Sequence, residues 1–174
     1  MTHKCCQDKK LRKRKATAEQ PYHFVESGLE NLYLVGIAVY RCDECGEEIP
    51  EIPRIAQLHD KIAEGLTKKP SILIGPEIRF LRKNLGLLAT DFAKYLDTTP
   101  VSVSRWETGD QISKENDKLI RYFYLRFKEE KTNSRITQPS VEQLSHVGKE
   151  TKVLNMNVRV RPHSVTTEFV GAAD

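Results

Sequence analysis

The first half of the chain contains two short apolar runs rich in β-branched and aromatic residues. They cover residues 22–25 and 34–40, and a Ser-Gly dipeptide interrupts the segment between them. Short runs of this composition, bounded by turn-forming residues, are typical of strands. We therefore predict a small antiparallel sheet within residues 21–53.

A helix is predicted directly after this sheet. Apolar residues recur at the spacing of one helix face, at Ile55, Leu58, Ile62 and Leu66. Pro53 suits the start of the helix, and a Lys-Lys-Pro sequence ends the pattern at residue 70. Residues 21–70 are then one unit, a β domain with a helix.

A second helical segment opens at a Gly-Pro pair at residue 75 and ends near Lys128. Its first helix stops at Gly86, because glycine accepts the left-handed conformation that ends many helices. The four predicted helices cover about residues 76–85, 89–96, 100–107 and 113–127. Their predicted core positions are Ile78, Leu81, Leu85, Phe92, Ala93, Leu96, Val103 and Trp106, and the fourth helix carries Leu119, Ile120, Phe123 and Tyr124. Tyr122 and Tyr124 of that helix are candidates for a dimer face, with ordinary core positions as the alternative. Residues 71–130 are therefore predicted to form an all-α domain.

The turn between the second and third of these helices carries the strongest functional signal. Thr99 is placed as the N-cap of the third helix and Pro100 as its first residue. A helix, a three-residue turn and a shorter helix form the geometry that projects the second helix into a major groove. Arg105 can donate two parallel hydrogen bonds to a guanine edge, and serine hydroxyls suit phosphate oxygens. The predicted DNA-binding residues are Thr99, Pro100, Val101, Ser102, Ser104 and Arg105.

The end of the chain has a different pattern. Residues 131–150 are polar and irregular, whereas apolar and polar residues alternate through residues 153–160. That alternation predicts a β-strand. The sequence offers this strand no obvious partner, so residues 131–174 are expected to be a flexible tail.

Bulk composition narrows the function only slightly. The chain has 174 residues and a net charge of +4, which permits nucleic-acid binding without arguing for it. No apolar run approaches a bilayer span and the first residues are charged, so we expect a cytoplasmic protein without a membrane segment. Nothing resembles a phosphate loop, a nucleophile elbow or a catalytic pair of carboxylates, so we expect no enzyme activity.

Six lysines and arginines lie close together within residues 9–15. One interpretation is a solvated and poorly ordered basic arm, which covers residues 1–20. The other is an arm that contacts DNA phosphates and adds affinity without sequence preference.

The cysteines favour metal or redox chemistry over disulfides, because closely spaced cysteines in the cytoplasm are usually reduced. Cys42 and Cys45 have the two-residue separation that places two thiolates on one zinc ion. A complete site needs a second pair of ligands, and the candidates are His3 and Cys6, with Cys5 as a substitute. A degenerate turn without metal is the alternative. His23 and His59 are expected to be ordinary polar residues.

Residues 98–109, with the sequence TTPVSVSRWETG, resemble the recognition half of the phage-repressor (XRE-type) helix-turn-helix family. The resemblance implies an internal ion pair between the first and third helices, here Arg82 with Glu107. One departure concerns the second helix, which often begins in this family with a serine cap followed by a DNA-contacting glutamine. This chain has Leu88 and Ala89 there.

A longer resemblance covers about residues 22–127. The segments 22–29 (YHFVESGL), 42–47 (CDECGE) and 77–83 (EIRFLRK) occur in the same order in the MqsA/YgiT-type family. Those bacterial proteins join an N-terminal zinc finger to an XRE-type helix-turn-helix. The resemblance implies an antitoxin that represses its own operon, dimerises through the helix-turn-helix half and binds a toxin partner.

The sequence therefore predicts an α+β protein, with a small zinc-ribbon-like antiparallel β domain, an all-α helix-turn-helix domain and a flexible tail. The leading functional hypothesis is a homodimeric, nucleoid-associated repressor of antitoxin type that binds double-stranded operator DNA, with Zn as cofactor and a toxin partner. One alternative is a stand-alone transcription regulator that responds to zinc or thiol oxidation. Another is an interaction module that has lost DNA binding.

Overall fold

The computed structural model describes residues 11–132, 154–161 and 164–171. It contains two β-sheets and five α-helices. The strands are β1 (Leu11–Lys15), β2 (Tyr22–His23), β3 (Leu32–Val35), β4 (Ala38–Cys42), β5 (Glu48–Glu51), β6 (Leu154–Val160) and β7 (Val165–Gly171). The helices are α1 (Ile55–Lys68), α2 (Gly75–Asn84), α3 (Ala89–Tyr95), α4 (Pro100–Thr108) and α5 (Lys114–Thr132). The predicted α+β class is confirmed. Strands β1 to β5 precede the helices, whereas β6 and β7 follow them.

The smaller sheet corrects the prediction of a solvated basic arm. Its strand order is β1-β4-β5, and β1 pairs antiparallel with β4 along its whole length. Arg14 donates to both carboxylate oxygens of Glu48 at 2.9 Å, and Arg12 lies 2.8 Å from Asp43. The basic residues of β1 therefore lie on a strand, where Arg12 and Arg14 pair with acids of the β4–β5 turn and of β5. Lys9 and Lys10 lie outside the described residues.

The larger sheet corrects the prediction of a tail without a strand partner. Its order is β2-β3-β6-β7, so both strands from the end of the chain complete a sheet begun by the front half. Strand β6 pairs parallel with β3, Leu34 lying opposite Val158, and antiparallel with β7. The alternating apolar residues of β6 are buried because they join the core next to β3. Residues 133–153 lie outside the described part of the chain.

Helix α1 covers one face of the larger sheet. Its side chains Leu58, Ile62 and Leu66 are buried, as the apolar stripe predicted, whereas Ile55 at the start of the helix is exposed. A Cβ on Gly65 would lie 3.3 Å from the end of Met156 in β6, which shows how closely helix and sheet approach. One continuous set of buried apolar residues runs from Ala16 through the helices to Val160.

The segment between α1 and α2 is fixed rather than open. Lys69 is 5% exposed and donates to both carboxylate oxygens of Glu77 at 2.7 and 2.9 Å. The backbone N–H of Leu73 donates to Asp117 of α5 at 2.8 Å. The predicted boundary between residues 70 and 71 therefore falls in a buried connection. In the described part of the chain, no helix is long and apolar enough to cross a membrane.

Candidate nucleic-acid interface

Helices α2, α3 and α4 pack together around Leu81, Phe92, Ala93 and Val103, all of which are buried. The turn between α3 and α4 reverses the chain at Asp97, which has a φ of 49°. Aspartate tolerates this left-handed backbone better than most residues with a Cβ. The turn sets the direction in which α4 leaves α3.

The start of α4 is fixed by its predicted cap. The Thr99 side chain accepts a hydrogen bond from the backbone N–H of Ser102 at 3.0 Å, and Pro100 occupies the first turn. This arrangement satisfies one of the N–H groups that a helix leaves without a partner, and proline fixes the backbone angle of the first residue. Gly109 ends the helix with a φ of 125°. The local boundaries of α4 are confirmed.

The predicted DNA-binding residues lie on an accessible side of α4. Thr99, Pro100, Val101, Ser104 and Arg105 are exposed, and Ser102 is half-buried. Val101 exposes 61% of its surface, so its side chain is free to make an apolar contact. Val103 is buried and Trp106 is half-buried against the core, as predicted. The helix therefore presents one polar side while the opposite side holds it on the domain.

The far end of α4 is held by the predicted ion pair. Arg82 of α2 donates to both carboxylate oxygens of Glu107 at 2.5 and 2.9 Å, and also to the carbonyl oxygen of Leu87 at 2.8 Å. The hydrogen bond to Glu107 raises the pKa of Arg82. Arg79 adds a bond from Nε to Glu107 at 3.2 Å, which the sequence did not predict. Two arginines of α2 therefore fix the position of α4.

The start of α3 shows the predicted departure from the repressor pattern. Leu88 occupies the N-cap position, makes no side-chain cap hydrogen bond and exposes 68% of its surface. Ala89 has no polar atoms in its side chain with which to contact a phosphate. The side-chain cap and the glutamine contact are therefore both missing from this helix.

A buried network between α5 and the α1–α2 connection was not predicted. Arg121 and Asp117 are both fully buried, and Arg121 Nε lies 2.8 Å from Asp117 Oδ2. The i,i+4 spacing of an acid and a base on a helix is a sequence signal for this pair. It does not indicate burial, because most such pairs lie on a solvated face.

The cysteine pair occupies the β4–β5 turn. Cys42 ends β4 and is buried, whereas Cys45 is exposed. The backbone N–H of Gly46 donates to the carbonyl oxygen of Cys42 at 3.0 Å, and Gly46 has a φ of 72°, as a tight turn requires. His3, Cys5 and Cys6 lie outside the described residues. Within the described part, no three His, Cys, Asp or Glu side chains are grouped as metal ligands.

His23 and His59 both pack against aromatic rings. The ring of His23 stacks on Tyr33 with centroids 4.9 Å apart, and its Nε2 lies 2.6 Å from the carbonyl oxygen of Glu30. His59 lies between Phe24 and Phe80 with centroids 6.2 and 5.7 Å away. Burial lowers the pKa of His59, which keeps the ring uncharged at neutral pH.

An aromatic surface lies where α3 meets α5. Tyr95 is 57% exposed, and its ring centroid is 5.1 Å from Phe123 and 5.6 Å from Phe127. Tyr122, the residue before Phe123 on α5, is 54% exposed, whereas Tyr124 is buried and its hydroxyl donates to Asn84 at 2.7 Å. Of the two tyrosines that the sequence suggested for a dimer face, Tyr124 belongs to the core.

A comparison with protein families identifies this unit. Residues 78–120 match the family model described as Helix-turn-helix. The segment is an XRE-type helix-turn-helix domain. The match indicates a DNA-binding transcription regulator, and the family is one of regulators rather than enzymes. No curated protein and no solved structure matches the chain.

Proposed function

We propose that the chain is a sequence-specific transcription repressor that inserts α4 into the major groove of operator DNA. The observation that carries the proposal is the accessible polar side of α4, held at its start by the Thr99 cap and at its end by Glu107. A rigid helix presented in this way lowers the cost of ordering side chains on binding.

Different residues on the accessible side of α4 contact the bases and the phosphates in this proposal. Arg105 is exposed and supplies the paired donors that match the O6 and N7 atoms of guanine. Val101 supplies an apolar contact of the kind made to a thymine methyl group. Ser102 and Ser104 donate to phosphate oxygens, together with Thr99 and the backbone at the start of α4.

The repressor acts as a homodimer in this proposal. Two copies related by a two-fold axis place two α4 helices in successive major grooves, which requires half-sites about 34–36 Å apart. The aromatic surface of Tyr95, Phe123 and Phe127, with exposed Tyr122 beside it, supports a dimer face in the helical half. Exposed aromatic residues are enriched where proteins associate.

A zinc ion held by the front half is a further part of the proposal. Leu11, the first described residue, lies opposite Cys42 in the β1–β4 pairing. Cys6 is five residues before Leu11, so at most about 18 Å of chain separates them. Cys6 and His3 can therefore reach the turn that carries Cys42 and Cys45, with Cys5 as a substitute ligand. Four N and S ligands make a closed structural zinc site.

The antitoxin role is the part of the proposal that rests on the resemblance of residues 22–127 to the MqsA/YgiT-type family. In that role the front half binds a toxin encoded in the same operon, and the helical half represses the operon. The alternative is a stand-alone regulator whose DNA affinity follows zinc or thiol oxidation. Cys45 is exposed at the β4–β5 turn, so its thiol is accessible to an oxidant and that alternative can be tested.

Selection of bound sequences from a randomised DNA library tests the central proposal. The full chain is expected to enrich an inverted repeat with half-sites one helical turn apart, and to repress a reporter that carries this repeat. Enrichment of no sequence would contradict sequence-specific binding. Enrichment of a single half-site by a monomer would contradict the dimer alone.

Two further measurements separate the antitoxin from the stand-alone regulator. Expression of the neighbouring gene in a bacterial host, with and without this chain, is expected to show growth arrest and rescue. A harmless neighbour would contradict the antitoxin role and leave DNA binding intact. Native mass spectrometry is expected to show one zinc ion per chain, which is lost in Cys42→Ser, and an apoprotein purified without chelator would contradict the zinc site.

A further inference from the structure

A cleft of about 430 Å³ lies at the junction of the front half and the helix-turn-helix domain. One wall consists of the loop at residues 26–28 and His59, and the other consists of α2 together with Glu107 of α4. Pockets of this size hold small molecules, and they occur preferentially where two structural units meet.

The α2 wall presents two cations. Arg79 and Lys83 are one helical turn apart, and both side chains line the cleft. Lys83 is exposed, and no acidic side chain of the described residues forms an ion pair with it. Arg79 is half-exposed and uses Nε for Glu107, so its two terminal nitrogens can bond to a ligand.

The acids in the cleft already have partners. Glu107 accepts hydrogen bonds from Arg79 and Arg82, and Glu26 accepts one from the hydroxyl of Tyr22 at 2.6 Å. With Arg82 counted beside Glu107, three cations face two carboxylates. The excess positive charge lies at Arg79 and Lys83, where it favours an anion.

The part of the cleft next to these cations is aromatic. The rings of His59 and Phe80 lie edge to face with centroids 5.7 Å apart, and both residues line the cleft. Burial lowers the pKa of His59, so its ring is uncharged at neutral pH. The ligand therefore needs no second negative group at this end of the cleft. A planar or apolar group can therefore lie beside the cationic end of the site.

We infer that this cleft binds a small organic anion, with its phosphate or carboxylate group between Arg79 and Lys83 and its apolar part against His59 and Phe80. The site is separate from the accessible side of α4 and from the cysteine turn. Both ends of the ligand are specified, one by charge and hydrogen bonds and the other by aromatic contact.

The site also reaches the recognition helix, and this step rests on the proposed function. Oxygen Oε2 of Glu107 accepts from both Arg79 and Arg82, at 3.2 and 2.9 Å. An anion bound to the terminal nitrogens of Arg79 competes with Glu107 for this guanidinium and weakens one of the two arginine contacts that hold α4. The ligand therefore changes operator affinity, and operator DNA changes ligand affinity by the same factor.

Titration of the full chain without DNA tests the binding site. Backbone amide resonances are followed by two-dimensional NMR during addition of inorganic phosphate and then phenyl phosphate, each matched in ionic strength by sodium chloride. Saturable shifts are expected at Ser27, Gly28, His59 and Phe80, and phenyl phosphate is expected to bind more tightly than inorganic phosphate. Shifts that do not saturate, or equal affinity for the two probes, would overturn the inference.

Lys83→Gln is expected to weaken phenyl phosphate binding about tenfold, because a hydrogen bond to a charged group is lost. Lys118→Gln makes the same charge change on the exposed side of α5 and is expected to leave binding unchanged. Equal weakening in the two variants would mean that only net charge matters, which contradicts a built site.

DNA phosphate is the competing source of an anion for Lys83. If Lys83→Gln leaves phenyl phosphate binding unchanged but lowers DNA affinity and reduces the salt slope by about 1, the cleft serves DNA and the inference is wrong. Because the titration contains no DNA, a chain that binds no operator still gives a clear result for this site. Failure of the proposed function and failure of the cleft are thus distinguishable.

Discussion

Arg121 and Asp117 form an ion pair in which both side chains have no solvent exposure. The remaining guanidinium hydrogens are donated to backbone carbonyls, and the acceptors are Leu66, Thr67, Lys69 and Ser71. These carbonyls belong to the last turn of α1 and the connection that follows it, where a helix leaves acceptors without partners. One side chain of α5 therefore fixes the connection between the front half and the helix-turn-helix domain.

Arg121→Met is expected to lower the free energy of unfolding by about 3–5 kcal/mol, which is the usual cost of removing one partner from a buried ion pair. The variant leaves Asp117 charged in the interior and leaves the α1 carbonyls without donors. Arg126→Met is the matched control, because its ion pairs on the same helix are partly exposed. The control is expected to cost less than about 1 kcal/mol. Urea denaturation measures both values.

Equal stability of the two variants would show that the Arg121 network does not hold the connection. The wild-type transition also provides a check, because Trp106 reports on the helical half while circular dichroism reports on the whole chain. Coincident transitions are expected, since both halves share one core. Two separated transitions would contradict a fixed connection.

Gly36→Ala is expected to destabilise the protein by more than about 2 kcal/mol. Gly36 has a φ of 94°, and a Cβ there would lie 2.3 Å from the carbonyl oxygen of Val160 in β6. Backbone cannot move aside as the end of a flexible side chain does, so the clash adds to the strain of the left-handed region. The experiment therefore tests whether the strand from the end of the chain packs against the front half.

Gly28→Ala is the matched control for this clash. Gly28 has a φ of 76°, but a Cβ there would meet nothing within 4 Å. It is expected to cost only the backbone strain, about 1–2 kcal/mol. Thermal denaturation of the two variants measures the difference, and an equal loss in both would mean that β6 does not lie against Gly36.

Glu48→Gln is expected to lower stability at pH 7 and to have no effect well below pH 4. The hydrogen bond from Arg14 lowers the pKa of Glu48 in the folded state from its ordinary value of 4.5. A carboxylate with a lowered pKa stabilises the fold above the unfolded-state pKa and loses that contribution as pH falls through the folded-state pKa. The effect at pH 7 is expected to be about 0.5–1 kcal/mol, because the pair is partly exposed.

Urea denaturation between pH 7 and pH 3 measures this dependence. Glu30→Gln removes an exposed carboxylate elsewhere in the front half and is expected to change stability little across the same range. A Glu48→Gln deficit that persists unchanged at pH 3 would contradict the Arg14 ion pair. That result would also favour the interpretation of residues 11–15 as a solvated arm.

The local features of the helical half could be predicted because their causes lie within a few residues. Thr99 and Pro100 start α4, and Gly86 with a φ of 71° follows the end of α2. The Arg82–Glu107 pair spans 25 residues and was predicted only through the resemblance to the repressor family. Periodicity alone gives the buried face of each helix and not the partner of a polar side chain.

The strand pairings could not be predicted because they join distant parts of the chain. Strand β6 pairs in parallel with β3 across the whole helical domain. Its alternating pattern gave the strand itself, at residues 154–160, but no local signal names a partner. The basic sequence of β1 did not indicate a strand, because the acids that pair with it lie about thirty residues later, on β5 and the β4–β5 turn.

The candidate site could be predicted in part for the same reason. The accessible positions of Val101 and Arg105 follow from helical spacing once the buried Val103 is assigned. The cleft beside Arg79 and Lys83 could not be predicted, since its other wall comes from a loop about fifty residues earlier in the chain. Arg79 appeared in the sequence as one more charged residue on α2.

Binding of Arg105→Ala to the enriched operator, measured by fluorescence anisotropy, tests DNA recognition by α4 most directly. The wild-type chain is expected to discriminate against a substitution at the contacted guanine. The variant is expected to bind the operator about 10- to 100-fold more weakly and to lose that discrimination, because a bidentate arginine–guanine contact contributes about 1–3 kcal/mol. Arg126→Ala removes a partly exposed arginine of α5 and serves as the control for charge. Unchanged affinity and base preference in Arg105→Ala would contradict the claim that α4 reads the operator.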